Sequence, residues 1–126
     1  MIQSIRICFV TLFFISISCG QKKKSFVNIK ASDLKTVLST HSDIQLVDVR
    51  TPEEYAEGQI NNAMNIDVTS DNFEERVLNL LKKDSPVYLY CRSGGRSVIA
   101  SKILTKKGFE VYNLEGGYIN WKSEIN

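Results

Sequence analysis

The sequence predicts an α/β domain with a central, mostly parallel sheet of about five strands flanked by helices. Apolar runs of four to six residues alternate with helical periodicity from Phe26 onward, the pattern of strands joined by crossover helices. Cap residues and glycines fall at the joints between these segments. The chain has 126 residues, 43% hydrophobic and 24% charged. That composition suits one modest domain and excludes disordered, collagen-like and coiled-coil chains.

Phe26 to Ile29 reads as a short alternating strand. Ser32 can cap a helix through Leu34, Val37 and Leu38, with Asp33 in its first turn. Ile44 to Val49 is mostly apolar and suits an interior strand. Thr51-Pro52-Glu53-Glu54 combines a cap, a proline at the first helical position and a glutamate three residues after the cap. That helix should stop at Gly58. Ala63 to Ile66 suits another strand, and Asp71 or Asn72 can cap a helix with Phe73, Val77, Leu78, Leu80 and Leu81 on its apolar face. Val87 to Tyr90 is a strand. A loop from Cys91 to Gly95 leads into a helix expected to bury Val98, Ile99, Ile103 and Leu104. Gly108 ends it, Phe109 to Leu114 returns to the sheet, and Gly116-Gly117 turns into a last helix with Tyr118, Ile119 and Trp121.

The N-terminus differs from the rest. Arg6 precedes Ile7 to Ile17, a run without charge that is short of the ~20 residues a spanning helix needs. A basic residue before such a run and small residues after it fit a secretory signal. Ser16-Ile17-Ser18-Cys19-Gly20 resembles a bacterial lipobox, with Ser16 where that pattern usually carries an aliphatic residue. The resemblance implies cleavage after residue 18, lipidation of Cys19, a basic tether over residues 19–25 and a domain over 26–126. It also implies an exported protein of the cell envelope or periplasm, held to a membrane. Lys22 to Lys24 would then lie beside an anionic lipid surface. A net charge of +2 argues against a nucleic-acid partner.

Three cysteines are too few for a disulfide framework. With Cys8 in the signal and Cys19 lipidated, Cys91 is the single thiol left. It opens Cys91-Arg92-Ser93-Gly94-Gly95-Arg96-Ser97, between an apolar strand and an amphipathic helix. Ligands of open α/β sheets bind at that edge. Gly94 and Gly95 allow successive N–H groups to turn inward as an anion-binding nest at a helix N-terminus. A cysteine there, near Arg92 and Arg96, should ionise readily, and the thiolate is the nucleophile.

Several separated segments resemble the rhodanese (sulfurtransferase) family. Leu46 to Tyr55 and Gly58 to Ile66 are similar to its first two signatures, with Gln59 and Asn62 where the family often has His and Gly. Cys91 to Arg96 is similar to its active loop, and Leu114 to Trp121 to its closing segment. The resemblance implies a rhodanese-like three-layer fold without a metal or organic cofactor. It implies Cys91 as catalytic residue, with Arg92, Ser93, Gly94, Gly95, Arg96 and Ser97 as the substrate loop. Cys91 would take a sulfane sulfur from a small anion such as thiosulfate, or from polysulfide, and pass it to a thiol or cyanide. Arg96 would close the nest and bias it toward anions; Arg92, more exposed, would recruit the donor.

Cysteine phosphatases place five residues between Cys and Arg to ring a phosphate, whereas four separate Cys91 from Arg96. The smaller ring suits one sulfur atom. Two further readings stay open: a persulfide carrier that turns over poorly alone, and a thiol-redox partner of another envelope protein. Asp48 and Arg50 alternate at a strand end as a structural ion pair supporting the site, and His41 reads as a solvated loop residue. Trp121 reads as core packing and Lys106-Lys107 as a favourable helix terminus. Nothing in the chain demands an oligomer, and a monomer is expected.

Overall fold

The structure is a computed structural model that describes Gly20 and residues 25–125. The expected signal segment, Cys19 and the basic tether at Lys22 to Lys24 lie outside the described residues. Among the described residues no helix is long and apolar enough to cross a membrane.

Five strands form one sheet: β1 (Val27–Ile29), β2 (Gln45–Asp48), β3 (Met64–Asn65), β4 (Val87–Tyr90) and β5 (Val111–Leu114). Their order is β1-β5-β4-β2-β3, and every pairing is parallel. The helices are α1 (Ala31–Thr40), α2 (Pro52–Ala56), α3 (Phe73–Leu80), α4 (Gly95–Lys106) and α5 (Gly117–Ile125). Parallel strands need crossovers, so every strand is followed by a helix and both sheet faces are covered.

Side-chain alternation sorts the core into two layers. Val47, Val49, Val87, Leu89 and Val111 pack with Phe73 and Val77 of α3 and Ala100 and Leu104 of α4. On the other face Leu46, Tyr90 and Leu114 pack with Ala31 and Leu34 of α1 and with Tyr118 and Trp121 of α5. Each fully buried large apolar side chain contributes about 1.5–3 kcal/mol. The central strand β4 serves both layers: Cys91, just past its end, joins the first, and Tyr90 the second.

Local chemistry explains most boundaries. The Thr51 hydroxyl accepts from Glu54 N while the Glu54 carboxylate accepts from Thr51 N at 3.0 Å, and Pro52 opens α2. Helix α1 starts before Ser32. Lys30 is its cap residue, and Lys30 N donates to Asp33 Oδ2 at 3.1 Å, so Ser32, the expected cap, lies in the first turn and the acid after it closes the helix start.

Two helices bury narrower faces than expected. In α3, Phe73 and Val77 are buried but Leu78 and Leu80 are about half exposed. Leu78 lies about 100° around the helix from Val77 and misses the sheet. In α4 the inward line is Ser97, Ala100, Ser101 and Leu104, while Ile99 is 57% exposed and Ile103 only partly covered. Small residues at that i, i+3, i+4, i+7 spacing let α4 lie close on the strands.

Candidate active site

All strands are parallel, so their carboxyl ends share one edge of the sheet. The Cys91 loop follows the middle strand of that edge. Tyr90 and Cys91 point to opposite faces. The Tyr90 hydroxyl, buried, accepts from Ile60 N at 3.0 Å and so holds the segment after α2. Cys91 points toward α4 and is 1% exposed.

The thiol sits against the N-terminus of α4. Gly94 N donates to Cys91 Sγ at 3.1 Å, and Sγ donates to Ser97 Oγ at 3.4 Å. Ser97 Oγ in turn donates to the Gly94 carbonyl at 3.1 Å. Burial alone would push the Cys91 thiol up. Hydrogen bonds from the Ser97 side chain and from the backbone N–H groups of Ser97, Gly94 and Ser93 outweigh it and hold the thiol below its ordinary value of 9.0. The first turn of α4 carries no acid to oppose a thiolate there.

One glycine, not two, makes the turn. Gly94 has φ +116° and caps α4, whereas Gly95 already belongs to the helix, and a Cβ on it would meet open space. Gly117 was expected only as a turn residue, yet it is in direct contact with the loop. It has φ +60°, and a Cβ there would lie 2.6 Å from both the Cys91 and Arg92 carbonyl oxygens. Those carbonyls accept from Tyr118 N at 2.9 Å and Ile119 N at 3.0 Å, the first N–H groups of α5. Anchoring the carbonyls on α5 leaves the following N–H groups free to face the sulfur.

The two arginines of the loop have different surroundings. Arg92 is exposed and, among the described residues, makes no ion pair. Arg96 forms a two-pronged pair with Glu54: Nη1 donates to Oε2 at 2.7 Å and Nη2 to Oε1 at 2.8 Å. The Arg96 guanidinium, with further help from Thr51 and against a smaller cost of burial, holds the Glu54 carboxyl down at about 2. The sequence presented Glu54 only as a helix cap. Its reach to a side chain 42 positions later had no sequence signal beyond its charge.

Asp48 and Arg50 lie on the opposite face from Cys91. The Arg50 guanidinium meets the Asp48 carboxylate at 2.5 Å, donates to the Gly58 carbonyl at 2.7 Å and stacks 4.3 Å from the Tyr118 ring centroid. Both are nearly or wholly buried. The pair ties the end of β2 to the end of α2 and to α5, the helix that holds the loop carbonyls. Removing one partner of such a pair typically costs about 3–5 kcal/mol. Asn65, unremarked in the sequence, locks the same corner by donating to the Asp48 and Arg50 carbonyls at 3.0 and 2.9 Å. Among the described residues no three metal-binding side chains stand together.

The family described as "Rhodanese-like domain" matches residues 30–124. A sulfurtransferase of Allochromatium vinosum is 37% identical over 94 residues, covering 74% of this chain and 85% of that protein. Protein YqhL of Bacillus subtilis, named as uncharacterized, is 43% identical over 82 residues, and the match spans 63% of its length, under two thirds. Among solved structures, a rhodanese-like domain protein from Staphylococcus aureus shares 35% identity at a TM-score of 0.70, covering 76% of this chain and 91% of that one. The family match runs through β2 to β5, the Cys91 loop and the α5 segment that anchors it, and the chain therefore belongs to the rhodanese-like family, with sulfurtransferases among its relatives.

Proposed function

We propose that the protein transfers a sulfane sulfur through a persulfide on Cys91. The observation that carries this reading is the buried Cys91 thiol, held below its ordinary pKa by loop N–H groups and Ser97. Cys91 thiolate attacks the outer sulfur of thiosulfate or a sulfur of a polysulfide. A new S–S bond forms, the donor's S–S bond breaks, and sulfite or the shortened polysulfide leaves with the electron pair. The terminal persulfide sulfur, negatively charged, is stabilised by the loop N–H groups at the α4 N-terminus. A thiolate or cyanide then attacks that sulfur and releases Cys91 thiolate. Arg92 recruits the anionic donor, while Asp48 and Arg50 keep α5 and the loop in place.

Intact-mass measurement after incubation with thiosulfate or polysulfide tests the chemistry. The expected result is a gain of one sulfur that cyanide removes and that Cys91→Ala abolishes. Absence of an adduct from both donors overturns the reading. Repeated release of thiocyanate marks an enzyme, and a single turnover marks a carrier. We propose further that Cys19 carries a lipid and tethers the domain to a membrane of the cell envelope. Metabolic labelling with a fatty acid should be lost in Cys19→Ala, and labelling that persists removes the anchor.

A further inference from the structure

We propose that Glu54 sets the charge preference of the Cys91 site, turning it away from dianionic sulfur donors and toward persulfides and thiols on neutral or cationic carriers. The inference deepens the sulfur-transfer reading and rests on it.

Two cations belong to the loop and the first turn of its helix, Arg92 and Arg96. Arg96 spends both terminal nitrogens on Glu54, whose Oε2 also accepts from Thr51 N and the Thr51 hydroxyl. Three donors and a second prong fix the carboxylate in place, and it stays ionised throughout the physiological range. To an approaching ion this pair is close to neutral. Arg92 is then the one loop cation without an ion pair among the described residues.

The neighbouring connections add negative charge. In an all-parallel sheet every strand-to-helix joint opens on the Cys91 edge, and adjacent strands stand ~4.8 Å apart. The first turn of α2, just past β2, carries exposed Glu53, and the joint after β5 carries exposed Glu115. These two strands flank β4 directly. Further out, Asp67 after β3 acts electrostatically on Arg96, while Lys30 after β1 stands on the far side. Against Arg92 alone, an immediate rim of Glu53 and Glu115 does not favour a doubly charged anion.

The chemistry makes this consequential. Loading from thiosulfate brings a dianion onto the Cys91 thiolate, so three negative charges gather before sulfite leaves with its electron pair. Loading from an alkyl persulfide transfers the same sulfur while expelling a thiolate, with a smaller charge and, on a cationic carrier, an attraction to the rim. Glu54 does not touch either donor. It acts through Arg96 and is a positioning residue.

Stopped-flow and intact-mass measurements of Cys91 sulfur loading on the full chain test this, with thiosulfate and cysteamine persulfide as probes. Glu54→Gln keeps the shape of the cap but frees the Arg96 charge. It should raise kcat/KM for thiosulfate about fivefold to tenfold and leave loading from cysteamine persulfide unchanged or lower. In the wild type, thiosulfate loading should change with ionic strength less steeply than in Glu54→Gln, because the wild type has only the Arg92 attraction to screen and the variant adds that of Arg96. Arg92→Gln, exposed and safe for folding, should lower thiosulfate loading selectively. A Glu54→Gln effect of equal size on both donors indicates a structural role and overturns the inference. So does a selective loss with thiosulfate. If neither donor loads wild-type Cys91, the sulfur-transfer reading itself fails, a distinct result.

Discussion

Ser97 has one hydroxyl proton and two acceptors within reach, the Gly94 carbonyl at 3.1 Å and Cys91 Sγ at 3.4 Å. While Cys91 keeps its proton, Sγ donates to Ser97, and Ser97 donates to Gly94. Once the thiol ionises, the hydroxyl can turn to the sulfur. Ser97→Ala removes one of the causes that lower the Cys91 pKa. The pH midpoint of sulfur loading should therefore rise toward the ordinary 9.0, with a slower rate at neutral pH and a similar plateau in alkali. A midpoint that stays in place would assign the thiolate to the backbone N–H groups alone. At this scale the sequence was informative about identity and poor about partnership. Cys91 and its loop were legible because the loop residues are contiguous. The pairing of Arg96 with Glu54 was not, because a capping glutamate looks the same whether or not an arginine from another element reaches it.

The elements of the site are α4, whose N-terminus lies against the Cys91 thiol, and α5, which receives the loop carbonyls at its own. Gly117 is the contact point. Gly117→Ala would place a side chain in the left-handed region, at about 1–2 kcal/mol, and would drive its Cβ against two backbone oxygens that cannot move without tilting the loop. Sulfur loading should fall at least tenfold, with an unfolding midpoint shifted by a loss of about 2 kcal/mol. A variant that loads sulfur at the wild-type rate would show that the loop holds its shape without α5. Helix periodicity alone misjudged α4. Ile99 and Ile103 are as regularly spaced as Ala100 and Leu104, and rotation about the helix axis was decided elsewhere, by Ser97 facing Cys91. Cap chemistry was read well at Thr51 and displaced at Ser32. At α1 the cap moves to Lys30, whose N–H donates to the Asp33 carboxylate one turn in, and Ser32 lies inside the helix.

At the scale of the molecule, an all-parallel sheet gathers five strand-to-helix joints on one edge and leaves the chain entry and the returning loops on the other. Through that edge the Glu54–Arg96 pair couples α2 to α4, two helices far apart in sequence. Glu54 titrates at about 2 in the fold against an ordinary 4.5, a depressed carboxylate. Its stabilising effect is complete above about pH 4.5 and is lost as the pH falls from there toward 2. The urea midpoint of the wild type should therefore decline over that window more than that of Glu54→Gln. Parallel declines would mean that other carboxylates govern acid unfolding.

The sequence by itself determined the fold class, the order of the elements and the position of the Cys91 loop between a strand and a helix, because alternation, caps and that loop are local patterns carried by neighbouring residues. The tertiary structure decided the rest. It set the strand order β1-β5-β4-β2-β3, turned Cys91 to one face and the Asp48–Arg50 pair to the other, and joined Glu54 to Arg96. These outcomes depend on which distant segments pack together. Packing energy is shared across the whole core, so no short stretch of sequence encodes it.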